Sequence, residues 1–241
     1  MSSMDTTLAG LRERSREDYD LGLRRHMLQV YNYMASGVLL SGLVALLCSE
    51  SGVSEHLYGK NGSTLLGLVA IFAPLAYVFF LGKTLREGSL AKGQFVFWSF
   101  TALMGVSLSA VTLQYTGQSI ATTFFATATA FAGLSLVGYT TRKDLTGIGQ
   151  FLIMALWGLI AALVLNMVVG SEPMSYVLSA VGILIFAGLT VYDTQKIKLA
   201  YRRGISADAN ERMAIWGAVD LYLDFVNLFI HLLQFVGVKK N

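Results

Sequence analysis

Long apolar runs broken by short charged clusters organise this chain. Seven runs lie at Met27–Cys48, Thr64–Gly82, Gly93–Leu113, Ile120–Tyr139, Ile148–Val169, Met174–Tyr192 and Met213–Val236. Each is about 20 residues long, enough to cross a bilayer core as an α-helix. They are apolar all round rather than alternating, so a closed barrel of short strands does not fit. The predicted fold class is an all-α integral membrane protein with seven transmembrane helices. Residues 1–25 read as a polar tail, cytoplasmic, and 26–241 as a single seven-helix transmembrane domain. Pro74 in the second run removes a backbone donor and predicts a kink. The Ala, Thr and Gly content of the fourth run predicts close packing inside the bundle.

Composition supports this pattern. Of 241 residues, 54% are hydrophobic and 14% charged, with mean hydropathy +0.58. Soluble domains carry roughly 25% charged residues. No soluble domain is visible, so nucleic acid is not an expected partner; the lipid bilayer is. The net charge of +3 hides a strong asymmetry. With the N-terminus in the cytoplasm, fifteen of the 18 Lys and Arg fall on that side, leaving Lys60, Lys239 and Lys240 opposite. That bias predicts the N-in orientation. Met1–Arg25 lacks a short apolar segment with a small-residue cleavage site, so no removable signal is expected. Cys48 alone cannot form an internal disulfide and reads as a small packing residue.

The candidate chemistry lies near the end of the chain. Asp193 closes the sixth run, and Asp220 and Asp224 sit inside the seventh. An ionised carboxylate is costly at membrane depth, which marks these acids as functional candidates. At about 100° per residue, Asp220, Asp224, Asn227, His231 and Gln234 fall within about 80° of one another. Such a polar stripe must face the bundle interior or a water-filled cavity. Apolar cover on the other faces predicts that the last helix is central. Counted from Met213, Asp220 is about 10 Å and Asp224 about 16 Å along the axis. If the sixth helix continues through Ile197 and Leu199, Asp193 reaches a similar depth. Two carboxylates in a dry site would share a proton and titrate as a pair, where lone aspartates do not respond. With Asn227 nearby, they would also suit a hard cation such as calcium.

Plainer roles stand beside these. Asp193 could simply pair with Lys196 or Lys198, and Asp220 could be solvated at the mouth. His231 could be a satisfied polar residue near the outer interface, or a proton relay. Asn227 could be helix–helix glue. Tyr192 and Tyr222 read as packing or interfacial aromatics.

Several stretches resemble the Bax inhibitor-1 family, the transmembrane Bax inhibitor motif proteins, in their bacterial inner-membrane branch. They are Met27–Tyr31, Leu134–Leu145, Gly188–Lys196 and Leu221–Phe229, and they reach from the first run to the last. The resemblance implies seven helices with the last enclosed by the other six, and a pH-sensitive calcium leak. It implies that Asp193 and Asp224 form a hydrogen-bonded gating pair that holds a cation transiently. Lys83 or Arg86 would be the basic partner, and Asp220 could join as a third acid. Thr64–Gly82 has no acid, where some bacterial relatives carry one.

The leading expectation is therefore a proton-gated cation leak, with calcium or protons as the partners and no cofactor beyond the permeant ion. An alternative is a membrane-embedded regulator that binds other membrane proteins. An intramembrane aspartyl protease also fits two acids on adjacent helices. Its Gly-x-Gly-Asp turn and Pro-Ala-Leu element are absent, since the only prolines are Pro74 and Pro173. No enzyme is expected. No Cys/His cluster, phosphate loop or nucleophile elbow occurs.

Overall fold

The computed structural model describes residues 2–59, 64–202 and 204–240. The side chains of 2–17, 75, 79, 81 and 83–87 also lie outside the described residues. Eight helices are present there. They are α1 (Ser2–Glu50), α2 (Val53–Tyr58), α3 (Leu65–Glu87), α4 (Leu90–Gln114), α5 (Gly117–Thr140), α6 (Thr146–Val169), α7 (Glu172–Ala200) and α8 (Ala207–Val236).

Among the described residues six stretches are long and apolar enough to cross a membrane: Asp18–Glu50, Leu90–Gln114, Gly117–Thr140, Thr146–Val169, Glu172–Ala200 and Ala207–Val236. The chain is an all-α membrane protein by these helices. In α3 the apolar part, Leu65–Val78, is shorter. The helix nevertheless continues through Pro74.

Helix ends follow local chemistry. Ser89, Thr116, Ser171 and Ser206 each accept a backbone N–H three residues on, capping α4, α5, α7 and α8. Such caps satisfy donors that the first turn leaves without partners. Gly170 ends α6 with φ 70°, a left-handed geometry that favours glycine.

Two boundaries differ from the apolar pattern. No break separates the polar tail from the first run: α1 carries through Arg24 and Arg25. Leu23 and His26 are buried, and the Tyr19 ring lies 5.4 Å from that of Tyr201. The sixth run does not stop at Tyr192, because α7 runs on to Ala200. The charged residues after Asp193 point along helix faces instead of forming a loop. The connection to α8 shrinks to 201–206.

Packing concentrates on α8, which touches α1, α3, α4, α5 and α7. Its most apolar window is 67% buried, against 6% for α6, which packs on α7. Ile215, Leu221 and Tyr222 of α8 are fully buried, as are Phe97 and Phe100 of α4. Lipid then solvates the outer faces, where Leu, Val and Met side chains such as Leu165 and Val168 are exposed. Small residues let the backbones approach. A Cβ at Gly138 would meet the Val191 carbonyl of α7, and one at Gly182 the His231 ring of α8.

At Gly105 of α4 a Cβ would stand 2.6 Å from Val44 Cβ and 2.7 Å from the Ser41 carbonyl oxygen of α1. Gly105→Leu is expected to lower the melting temperature in detergent, with an overpacking cost of about 1–3 kcal/mol or more. Gly133→Leu, which meets open space, should leave it unchanged. Equal melting of the two variants would contradict this packing.

Candidate functional site: the acid–lysine cluster between α7 and α8

Asp193 and Lys196 are three residues apart on α7, so they share one helix face. The Lys196 ammonium donates to Asp193 Oδ1 at 3.0 Å and to Asp220 Oδ2 of α8 at 2.9 Å. One cation thus bridges two acids from neighbouring helices. The carboxylates are 13% and 18% exposed, while the lysine side chain is 45% exposed. The lysine stem reaches a cavity of about 600 Å³ that opens at the α7–α8 connection. His26, Gly82, Arg202, Arg212 and Trp216 line it together with Lys196 and Asp220. Solvent therefore reaches the bridge from that end of the bundle.

Asp224 lies one turn further along α8 and is 4% exposed. Its Oδ2 has no hydrogen-bond partner among the described residues. A buried carboxylate oxygen without a donor is costly. It is tolerated when the carboxyl carries a proton or when a cation sits against it. Among the described residues no hydrogen bond joins Asp193 to Asp224; Asp193 is held by Lys196. Nor do three or more His, Cys, Asp or Glu side chains converge there as a metal site. The lysine stands where a cation between Asp193 and Asp220 would stand.

The rest of the polar stripe has separate partners. Asn227 turns back and donates to the Leu223 carbonyl of its own helix at 2.8 Å. His231 is 5% exposed and stacks on Phe186 of α7 at 5.6 Å, over Gly182. Its Nδ1 has no partner among the described residues. Gln234 Oε1 accepts from Ser179 Oγ of α7 at 3.1 Å. Asp220, His231 and Gln234 therefore all face α7, which runs antiparallel to α8. The angular stripe is the α7–α8 seam, and the acids occupy one end of it.

Neighbouring polar groups fix this end in place. Gln195 Nε2 donates to the Lys143 carbonyl at 2.7 Å, and its Oε1 accepts from Leu145 N–H at 3.0 Å. Lys198 donates to the Tyr139 carbonyl at 2.6 Å and lies over that ring. Gln195 binds the α5–α6 connection to the end of α7, and Lys198 binds the last turn of α5 to it. In that connection the Asp144 carboxylate accepts from the Thr146 hydroxyl at 2.6 Å and its N–H at 2.9 Å. Those two donors hold it below the usual carboxylate range. The contact persists above that range and is lost as pH falls through the lowered value.

On the far side of α8, the Tyr222 hydroxyl meets Ser41 Oγ at 2.6 Å, and Ser41 donates to the Thr101 carbonyl at 2.7 Å. Glu211 Oε1 accepts from the Tyr33 hydroxyl at 2.6 Å and from Gln94 Nε2 at 2.9 Å, tying α1 and α4 to the start of α8.

The plain pairing of Asp193 with Lys196 is present, and what sequence reasoning left out is that the same lysine reaches Asp220 of α8. Its spacing from Asp193 was the available signal, once α7 is known to continue past Tyr192. The alternative bases, Lys83 and Arg86, have side chains outside the described residues.

A family model described as "Inhibitor of apoptosis-promoting Bax1" matches residues 23–241. The "Inner membrane protein YbhL" of Escherichia coli K12 is 39% identical over 221 residues, 91% of this chain and 94% of that one. Two proteins carrying the name "uncharacterized" are similar as well. One from Rickettsia prowazekii is 42% identical over 92% of this chain and 93% of its own length. One from Caulobacter vibrioides is 41% identical over 95% and 94%.

Removing the bridge should leave two acids without their counter-ion. Lys196→Met is expected to lower stability in detergent at neutral pH. Losing one partner of a buried pair costs about 3–5 kcal/mol; exposure of the lysine reduces that to about 1–2. Adding Asp193→Asn and Asp220→Asn should recover most of the loss. A triple variant no more stable than Lys196→Met would contradict the bridge.

Proposed function

This chain belongs to the family of the inhibitor of apoptosis-promoting Bax1, and from that premise we propose that it is a proton-sensitive cation leak with calcium as the permeant ion. The observation that carries the proposal is the buried Asp224 with an unpartnered oxygen, one turn beyond two acids that already share a lysine. Such a cluster binds positive charge and changes its hold on that charge when protons arrive.

In this reading Lys196 is a tethered cation that fills the site. Protonation of Asp193 or Asp220 weakens the bridge, and the lysine can swing into the cavity that it already lines. A cation entering by that cavity then meets Asp220 first. Asp224 follows about 6 Å further along the axis, at 1.5 Å per residue. The charged and titratable groups around this path are Asp193 and Lys196 on α7, Asp220, Asp224 and Arg212 on α8, His26 on α1, and Arg202.

We take α3 as a seventh crossing, because Gly67 meets Leu57 at one end of the bundle and Gly82 meets the Trp216 ring at the other. Its neighbours would then surround α8. We take the N-terminus as cytoplasmic from the distribution of Lys and Arg. The cavity then opens to the cytoplasm. The relative in Escherichia coli suggests a bacterial inner membrane. We assign no enzymatic role: two acids that clamp a lysine do not present a water for cleavage.

Calcium flux into proteoliposomes, read at two pH values, tests this. The wild type should show flux that changes with pH, and Asp224→Asn should lose that change. Lys196→Gln should raise flux at the less permissive pH by removing the tethered cation. Flux indifferent to pH in the wild type, or a full pH response in Asp224→Asn, would sink the proposal.

A further inference from the structure

α8 packs on both α1 and α5, yet those two helices leave a cleft of about 690 Å³ between them on the outside of the bundle. Phe225 of α8 forms part of its floor, and Phe131 and Met34 line its walls. The volume falls within the range of about 300–1,000 Å³ typical of ligand sites. Its shape is a slot. Arg24 and Leu39, both lining it, are fifteen residues apart on α1, or about 22 Å at 1.5 Å per residue. A smaller apolar cavity of about 180 Å³ shares Val38, Phe124 and Phe225 and extends the slot. One leaflet of a bilayer core is about 15 Å thick.

One end of the slot is basic. Arg24 lines it, is exposed, and makes no ion pair among the described residues. Tyr139 lines the same end, and the Lys198 ammonium lies 5.4 Å from its ring centroid. Arg142 and Lys143 follow α5 directly and are exposed. The acids at this end among the described residues include Asp18 and Asp20, which precede Arg24 on α1, and Asp144, which is held by Thr146. A narrow apolar slot with cations at its mouth complements an anionic headgroup on an acyl chain.

We propose that the α1–α5 cleft binds an anionic phospholipid, with one acyl chain laid in the slot and the phosphate at Arg24. The lipid would seal the flank of α8 where α1 and α5 diverge. The binding does not depend on ion flux, so its test stands apart from that of the leak.

The full chain in mild detergent, given equal phosphatidylglycerol and phosphatidylcholine, can be read by native mass spectrometry. The wild type should retain a phosphatidylglycerol in preference to phosphatidylcholine. Arg24→Gln should lower that preference about fivefold, the effect of one basic contact with an anionic surface. Ala132→Trp, which fills the slot from α5, should abolish retention. Met154→Trp on the exposed face of α6 should retain lipid as the wild type does. Equal retention of the two lipids by the wild type would overturn the proposal. So would retention by Ala132→Trp, or equal loss in both tryptophan variants.

Discussion

Polar side chains at membrane depth must find partners inside the bundle, and the seam between α7 and α8 is where this chain holds its acids. Lys196 answers Asp193 and Asp220, and Ser179 answers Gln234. His231 lies over Gly182, where only a missing side chain leaves room for the ring. On its other faces α8 meets aromatic and small residues, with Phe124 and Phe131 against Phe225 and Ser41 under the Tyr222 hydroxyl. The seam leaves one acid oxygen unanswered, on Asp224. In a medium that cannot hydrate it, that oxygen is costly unless a proton or a cation answers it.

The end of α7 serves two purposes at once. Lys196 points to the acids, while Gln195 holds the α5–α6 connection and Lys198 the last turn of α5. Tyr33 and Gln94 hold the first turns of α8 through Glu211. The bridge is thus set between two anchored helix ends, so its opening need only move a flexible lysine stem. The cavity beside it already has the space. A long side chain with four rotatable carbons is suited to such a move.

Much of this was legible from residue order. Apolar run length located the six helices that are long and apolar enough to cross, among the described residues, and the 100° step placed Asp220, His231 and Gln234 on one face. The chain does put those three against a single neighbour. The same arithmetic could not show that Asn227 bonds to its own backbone, because that depends on a rotamer. Nor could hydropathy end α7 correctly. Five polar or charged residues from Asp193 to Lys198 mimic a loop, yet each has a tertiary partner or solvent, and the helix continues. That boundary concealed the reach of Lys196 to Asp220, since a base in a loop has no defined face. The caps at Ser89, Thr116, Ser171 and Ser206 were visible as residue types but acquire meaning only with the helix starts they satisfy.

The central claim is that Asp224 is a proton-responsive carboxyl coupled to the Asp193–Lys196–Asp220 bridge. Infrared difference spectra of the protein in lipid, taken between an acid and an alkaline pH, report carboxyl groups directly. The account predicts a carboxyl band that changes with pH, disappears in Asp224→Asn and shifts in Lys196→Met. A band that survives unchanged in Asp224→Asn, or that ignores the loss of Lys196, would contradict it.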